Sequence, residues 1–462
     1  MFFRQYYLGC LSHASYLVGD TSTGRAVVVD PQRDISAYLD DAAAAGLTIE
    51  RVIETHFHAD FLSGHLELAE ATGAAISFGE AAAGRTEFAM QPLAHGQRID
   101  LGEVELEIRS TPGHTPESIS IVIRDGHDTE PFGVLTGDTM FIGDVGRPDL
   151  LSSVGVSADG LARQLYHSLH EQLLTLPDAT KLYPAHGAGS ACGKNLSTET
   201  VSTIGEQRRT NYALAPMSED QFVHAVTQGQ AAAPIYFLFA ATKNREVHTI
   251  LHEDDRVRAL TLDEVLVLQR DGAALVDTRD AADFAAGYLR GSINVGLGGR
   301  FAEYTGEVVR PGTPIVLIGE TGHDAEARVR LSRIGFDTVI GALDRPMEVF
   351  MKHPAVVESA SRLTAQQFNE RRRALDNMQV VDVRGPGEIL AGMIDGAAHI
   401  QLPALLNRMN ELDPAKPTVV YCAGGYRSSI AASTLRANGF EDVSDVLGGY
   451  AAWAATDEGT KQ

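Results

Sequence analysis

The stretch Glu54-Thr55-His56-Phe57-His58-Ala59-Asp60-Phe61-Leu62-Ser63-Gly64-His65 begins at the end of an apolar, strand-like run, Arg51 to Thr55. Three histidines and an aspartate thus fall in the turn after a strand, where side chains project from a rigid scaffold. Imidazole nitrogen and carboxylate oxygen suit zinc, iron or manganese. One histidine in such a turn is ordinarily a capping or packing residue. Here three more fragments follow strand-like runs: Thr111-Pro112-Gly113-His114-Thr115, Thr136-Gly137-Asp138 and Tyr183-Pro184-Ala185-His186-Gly187. Ligands gathered from several strand-end loops leave coordination positions open for substrate, so a catalytic metal is expected.

Around these fragments, runs such as Ala26 to Asp30, Val104 to Ser110, Ser118 to Ile123 and Gly133 to Thr136 alternate with helical stretches such as Ile35 to Ala45. The segment from Thr200 to about Leu251 reads as helical and is expected to close this first domain.

The four fragments resemble the metallo-β-lactamase superfamily, whose His-x-His-x-Asp-His, Gly-His, Gly-Asp and later His build one or two metal sites on an αββα sandwich. The resemblance spans about residues 1 to 250. Phe61 stands where the second site's histidine belongs, and phenylalanine coordinates nothing; His65 comes four residues late. Two histidines and one carboxylate then remain, the set that characterises non-haem Fe(II) oxygenases. Within the superfamily the resemblance is to persulfide dioxygenases, which implies His56, His114 and Asp138 as ligands of one Fe(II) per chain. His58, Asp60 and His186 would orient the ligands or hold water by hydrogen bonds, or form a remnant site, with His58 open as a ligand. Arg147, in Asp144-Val-Gly-Arg147-Pro-Asp149, matches the same family. It would meet a substrate carboxylate or pair with Asp144 or Asp149.

The rest of the chain repeats itself. Ala274-Leu-Val-Asp-Thr-Arg279 lies over Val380-Val-Asp-Val-Arg384, and Gly287 to Val295 over Gly392 to Ile400. Each copy continues through a buried-strand run (Pro314 to Ile318; Thr418 to Tyr421), a loop, a helix and a Gly-Phe pair, giving two α/β domains of about 100 residues. His353-Pro354 marks their boundary, before Thr364 caps the next helix.

In the last copy the strand runs into Cys422-Ala423-Gly424-Gly425-Tyr426-Arg427, with a helix expected from near Ser428-Ser429. A glycine-rich turn at a helix N-terminus aims N–H groups inward, favouring an anion and a cysteine thiolate. The loop resembles the rhodanese active-site loop. That likeness implies Cys422 as sulfur carrier, Arg427 as added positive charge, and Gly424 and Gly425 as the cradle. In the middle copy Ile318 is expected opposite Cys422 and Gly319-Glu-Thr-Gly-His323 replaces the cradle, so that copy carries no persulfide. Cys192, near Lys194, is a second sulfur-handling candidate, with a structural role as its alternative; Cys10 reads as structural.

At 462 residues the chain is too long for a single core. Its excess of acid, 61 Asp plus Glu against 38 Lys plus Arg, disfavours nucleic acid and anionic lipid. Only three cysteines are present, which argues against a disulfide framework. No export signal or membrane-length apolar run is visible, so a cytoplasmic protein is expected.

The expected class is a multi-domain α/β chain: an αββα metallo-β-lactamase sandwich over 1–253, a degenerate rhodanese-like domain over 254–355 and an active one over 361–462. The likeness to a persulfide dioxygenase–rhodanese fusion implies a low-molecular-weight thiol persulfide, O2, sulfite and thiosulfate as reaction partners. A homo-oligomer is left open. The rivals are a two-metal thioester hydrolase of the glyoxalase II type and a sulfur-carrier or persulfide-sensing scaffold.

Overall fold

In the strand His13–Asp20, Tyr16 and Val18 face one core while Leu17 faces another, and all three are buried. A strand apolar on both faces belongs inside a layered stack. The computed structural model describes residues 1–126, 128, 130–152, 155–456 and 458–461. It divides into two units, Met1–Gln230 with Phe237–His252 and Ala231–Tyr236 with Glu253–Gln462.

The first unit holds two six-stranded sheets. One runs in order β1 (Phe2–Leu8), β2 (His13–Asp20), β3 (Arg25–Val29), β4 (Thr48–Ile53), β5 (Ala75–Gly79), β6 (Gln91–Leu93). It is antiparallel up to β3 and parallel beyond. The other comprises β7 (Arg98–Asp100), β8 (Val104–Ser110), β9 (Ile119–Asp125), β10 (Gly133–Gly137), β11 (Lys181–Pro184) and β12 (Ser202–Thr203), ordered β12-β11-β10-β9-β8-β7.

Their inner faces meet through Tyr16, Val18, Val27 and Val29 against Leu106, Ile108, Ile121 and Leu135. Outside, Leu17 and Val28 pack on Tyr38, Ala42 and Leu68 of the helices Ser36–Ala44 and His65–Thr72. Val122 and Val134 pack on Leu165 and Phe222 of Ala158–His167 and Glu219–Thr227. The result is an αββα sandwich. The segment expected to be helical is α-helical at Ile204–Thr210, Glu219–Thr227 and Phe237–Lys243, with a 3-10 turn at Tyr212–Leu214, because Pro216, Gly229 and Pro234 interrupt it. Cys10 lies in the turn after β1.

The second unit holds two parallel sheets with the same strand order. The first is β13 (Ala259–Leu260), β14 (Ala274–Asp277), β16 (Ile293–Asn294), β17 (Ile315–Ile318) and β18 (Val339–Leu343), ordered β13-β18-β17-β14-β16; the short strands β15 (Tyr288–Leu289) and β19 (Val357–Glu358) pair apart from it. The second is β20 (Ser361–Leu363), β21 (Gln379–Asp382), β22 (Ala398–His399), β23 (Thr418–Tyr421) and β24 (Val443–Val446), ordered β20-β24-β23-β21-β22.

Register corrects one expectation. Asp277 pairs with Ile318 and Asp382 with Tyr421. Ile318 therefore matches Tyr421, and Gly319 is the residue opposite Cys422. Two uniformly apolar strands give a sequence overlay nothing to fix its register, so it slides by one. The helix after Cys422 begins at Tyr426, earlier than expected, because Gly425 takes the left-handed conformation as its N-cap. The two copies also touch within this unit: the Asn294 N–H donates to Ser433 Oγ at 2.9 Å, and the Tyr426 hydroxyl to the carbonyls of Gly296 and Gly298. Among the described residues no helix is long and apolar enough to cross a membrane.

Candidate functional site

Every metal-motif residue lies just beyond a strand end: His56, His58 and Asp60 after β4, His114 after β8, Asp138 after β10 and His186 after β11. One donor atom from each of His56, His114 and Asp138 falls within 4.8 Å of the others, and all three residues are buried. His114 Nε2 lies 3.5 Å and His56 Nε2 3.9 Å from Asp138 Oδ2.

The remote ring nitrogens are already engaged. His114 Nδ1 donates to the Arg147 carbonyl at 2.8 Å, and His56 Nδ1 lies 3.0 Å from Thr55 Oγ1. Nε2 of each is thereby turned inward, as metal-ligating histidines require. His56 Nε2 and both Asp138 oxygens are buried with no hydrogen-bond partner. Such orphaned groups are costly unless something binds them, so the trio fits a metal ion. Burial holds His56 well below its ordinary range, with His58 and His114 adding repulsion, and lowers His114 to about 4. Both are therefore neutral donors at neutral pH. Gly146 makes the close approach possible: a Cβ there would stand 1.9 Å from the Asp138 carbonyl and 3.0 Å from His114 Nδ1.

His58 joins Asp60 and His186 in a second buried group, one donor atom from each lying within 4.8 Å of the others. His58 Nε2 lies 3.0 Å from Asp30 Oδ1 and 3.5 Å from Glu54 Oε2. Burial opposes its charge, but Asp30 and Glu54 outweigh that and hold it well above its ordinary range. Asp30 also accepts from the Thr55 backbone N–H and hydroxyl, tying the motif's first turn to β3. The Phe61 ring packs on His58 and His13 at 4.3 and 4.0 Å. His186 Nε2 lies 3.3 Å from Asp60 and 3.4 Å from Asp138.

Arg147 is buried, and its guanidinium makes two 2.7 Å bonds to Asp149. Asp144 is not its partner; that carboxylate caps the N–H groups of Val145, Lys194 and Asn195. Cys192 comes to the metal centre, grouped with Asp138 and His186. The Lys194 ammonium donates to the carbonyls of Ala225 and Gln228, while burial, with Asp60 and Asp138 beside it, pushes the Cys192 thiol well up.

In the second unit the buried Cys422 sulfur accepts the Gly425 N–H at 3.1 Å and lies 3.5 Å from Ser428 Oγ; Gly424 is exposed at the loop's tip. Arg427 is not a free positive charge. Glu388, which sequence reasoning missed, holds it through two bonds of 2.7 and 2.6 Å. A capping pattern at Gly385 to Glu388 was the only local signal.

Residues 8–186 match the metallo-beta-lactamase superfamily, and residues 261–353 and 364–456 each match the rhodanese-like domain. Persulfide dioxygenase ETHE1 of Bos taurus is 32% identical over 235 residues, 50% of this chain and 82% of that protein. A hydroxyacylglutathione hydrolase of Polaromonas is 35% identical over 173 residues, 37% of this chain and 61% of that protein. The crystal structure of a metallo-beta-lactamase from Staphylococcus aureus is 34% identical, with a TM-score of 0.67, covering 74% of this chain and 98% of its own. Fold and site thus define a metallo-β-lactamase superfamily protein followed by two rhodanese-like domains. More narrowly, the chain belongs to the persulfide dioxygenase family, in fusion with that rhodanese-like pair.

Proposed function

We propose that this chain oxidises a low-molecular-weight thiol persulfide at one non-haem iron and passes sulfane sulfur through Cys422, as a cytoplasmic enzyme of sulfide detoxification. The overall oxidation balances as R–S–SH + O2 + H2O giving R–SH, sulfite and two protons. Residues 1–253 would carry it, with 361–462 as the sulfur-transfer domain and 254–355 as its cysteine-free copy. The observation that carries this reading is the buried trio His56, His114 and Asp138, with unpaired donor atoms facing inward, beside the group of His58, Asp60 and His186, where the Phe61 ring packs on His58.

The iron, when bound, supplies Lewis acidity and oxygen activation. The protein's own residues orient and exclude. The Arg147 carbonyl fixes the His114 ring, Thr55 fixes His56, and Asp30 with Glu54 engages His58 Nε2. Arg147, bridged to Asp149, would meet a substrate carboxylate only in competition with that aspartate. Cys192, held as a thiol beside Asp138, would have to give up its proton before it exchanged sulfur with a persulfide. In the other unit Cys422 attacks the outer sulfur of a persulfide or of thiosulfate, and sulfite is the acceptor in the reverse direction, so sulfite and thiosulfate interconvert.

The hydrolase rival draws on the Polaromonas relative and needs two metals. Oxygen uptake with several thiol persulfides on iron-loaded protein, together with metal analysis and sulfite detection, separates the two. One iron per chain, stoichiometric sulfite and loss of uptake in His114→Ala are expected. Two zinc ions per chain with thioester hydrolysis and no uptake would overturn the iron reading. Persulfidated Cys422 without any oxygen consumption would favour the carrier scaffold.

A further inference from the structure

We propose that the helix Phe301–Val308 of the cysteine-free copy sets the charge at the Cys422 site, with Glu307 deciding whether a dianionic sulfur donor is admitted. This rests on the sulfur-transfer reading of Cys422. The helix reaches the active loop from across the second unit: the Tyr304 ring lies 5.3 Å from that of Tyr426, whose hydroxyl is anchored on Gly296 and Gly298 just before the helix. Arg427, next in the loop, lies within electrostatic range of Cys422, Tyr304 and Glu307.

The charges there cancel in pairs. Arg427 is held by Glu388 and Arg300 by Glu303, each through two bonds. Two guanidiniums meet two carboxylates, and Glu307 is the fifth group, with Oε2 buried and without a hydrogen-bond partner. The charged groups acting on it are Arg300 and Glu303 from its own helix and Arg427 from the loop. On the other elements packed against this helix, Arg330 is taken up by the carbonyls of Leu297 and Gly299 and by Glu326, and Arg408 by Glu411. Burial pushes Glu307 up to about 8, Glu303 adds to this, and Arg300 and Arg427 pull against it. Below that pH the cluster is neutral; above it, the cluster carries one net negative charge.

Both transfer reactions begin with the Cys422 thiolate. From a persulfide, Cys–S⁻ + R–S–SH gives Cys–S–S⁻ + R–SH: a new S–S bond forms at Cys422, the donor's breaks, and the leaving thiolate takes the proton. From thiosulfate, Cys–S⁻ + S–SO3²⁻ gives Cys–S–S⁻ + SO3²⁻, and the whole dianion must approach the cluster. An ionised Glu307 repels it more than a donor of lower charge, so the acid acts on specificity and not on the bond exchange itself.

Methanethiosulfonate carries the same sulfane sulfur as thiosulfate on a monoanion. The ratio of kcat/KM for thiosulfate to that for methanethiosulfonate, measured on the full chain between about pH 6.5 and about pH 9.5, cancels the titration of Cys422 itself. It is expected to fall about tenfold as pH rises through 8, the size of one added charge interaction across roughly 12 Å at an effective dielectric of about 20. In Glu307→Gln the ratio is expected to stay flat. A fall of equal size in Glu307→Gln, or no fall in the wild type, would overturn the proposal. Alkylation of wild-type Cys422 by neutral iodoacetamide against anionic iodoacetate, read by peptide mass spectrometry, needs neither turnover nor the variant. The iodoacetamide preference should grow across the same pH window, and a constant preference overturns the proposal. Failure of both donors to load Cys422, by contrast, would count against the sulfur-transfer reading.

Discussion

The two rhodanese-like copies share a scaffold and differ at the reactive loop. In each, an aspartate at the end of the second sheet strand in sequence holds an arginine two residues on, whose guanidinium reaches a glycine carbonyl. Asp277, Arg279 and Gly287 do this in one copy, and Asp382, Arg384 and Gly392 in the other, with closing bonds of 2.9 and 2.7 Å. The loop beyond the neighbouring strand diverges. Cys422 sits under the Gly425 N–H at a helix start, whereas Gly319 is followed by Glu320 and has no sulfur to offer. The clamp persists where the loop's cysteine is absent, so one can be lost without the other.

The sharpest break of this comparison exchanges the loop residues. Cys422→Ser is expected to reduce sulfur transfer from thiosulfate to background, because no other cysteine lies in the second unit. Gly319→Cys, added to that variant, is expected to restore nothing. A Cβ at position 319 would stand 2.2 Å from Thr278 Oγ1, so the new side chain costs about 1–3 kcal/mol through overpacking. Any sulfur transfer recovered in the double variant would show that loop sequence alone does not separate the copies.

What could be read from sequence divides along the same line. His56, His114, Asp138 and the Cys422 to Arg427 loop were legible because their chemistry is local, with fixed spacing at strand ends. Asp30, the Arg147 carbonyl and Glu388 were not. Each acts on a residue far along the chain, and only the folded loops bring Asp30 to His58 or Glu388 to Arg427. Phe61 was visible as a missing ligand, but the capture of His58 by two carboxylates depends on how β3 and β4 lie side by side. Cys192 was legible as a candidate only. Burial beside Asp60 and Asp138, rather than Lys194, sets its character.

The clamps themselves offer the next test. Removing either arginine strands a buried aspartate, which costs about 3–5 kcal/mol. The chain's single tryptophan, Trp453, is buried in the cysteine-bearing copy, and its fluorescence follows that copy's unfolding in urea. Arg384→Ala should lower this transition directly. Arg279→Ala should lower it as well, because Asn294 and Tyr426 join the copies within one unit. A Trp453 transition untouched by Arg279→Ala would mean that the two copies unfold independently.

The smallest expected effect concerns how alike the scaffolds remain. The helices Leu262–Arg270 and Ala365–Ala374 each open with a full capping box, Thr261 with Glu264 and Thr364 with Gln367. The threonine hydroxyl accepts the N–H three residues on, and the side chain there accepts the threonine's own N–H. Alanine at either threonine removes one of these two bonds and should cost about 1 kcal/mol. Glu264 is held below the usual carboxylate range chiefly by the Thr261 N–H and hydroxyl, whereas Gln367 is neutral. The Thr261 cap should therefore weaken as pH falls through the carboxylate range, while the Thr364 cap should not. Urea midpoints of Thr261→Ala and Thr364→Ala, each compared with the wild type at about pH 7 and about pH 3.5, test this. A Thr261 penalty that is the same at both values would show that the copies' caps are equivalent despite their different partners.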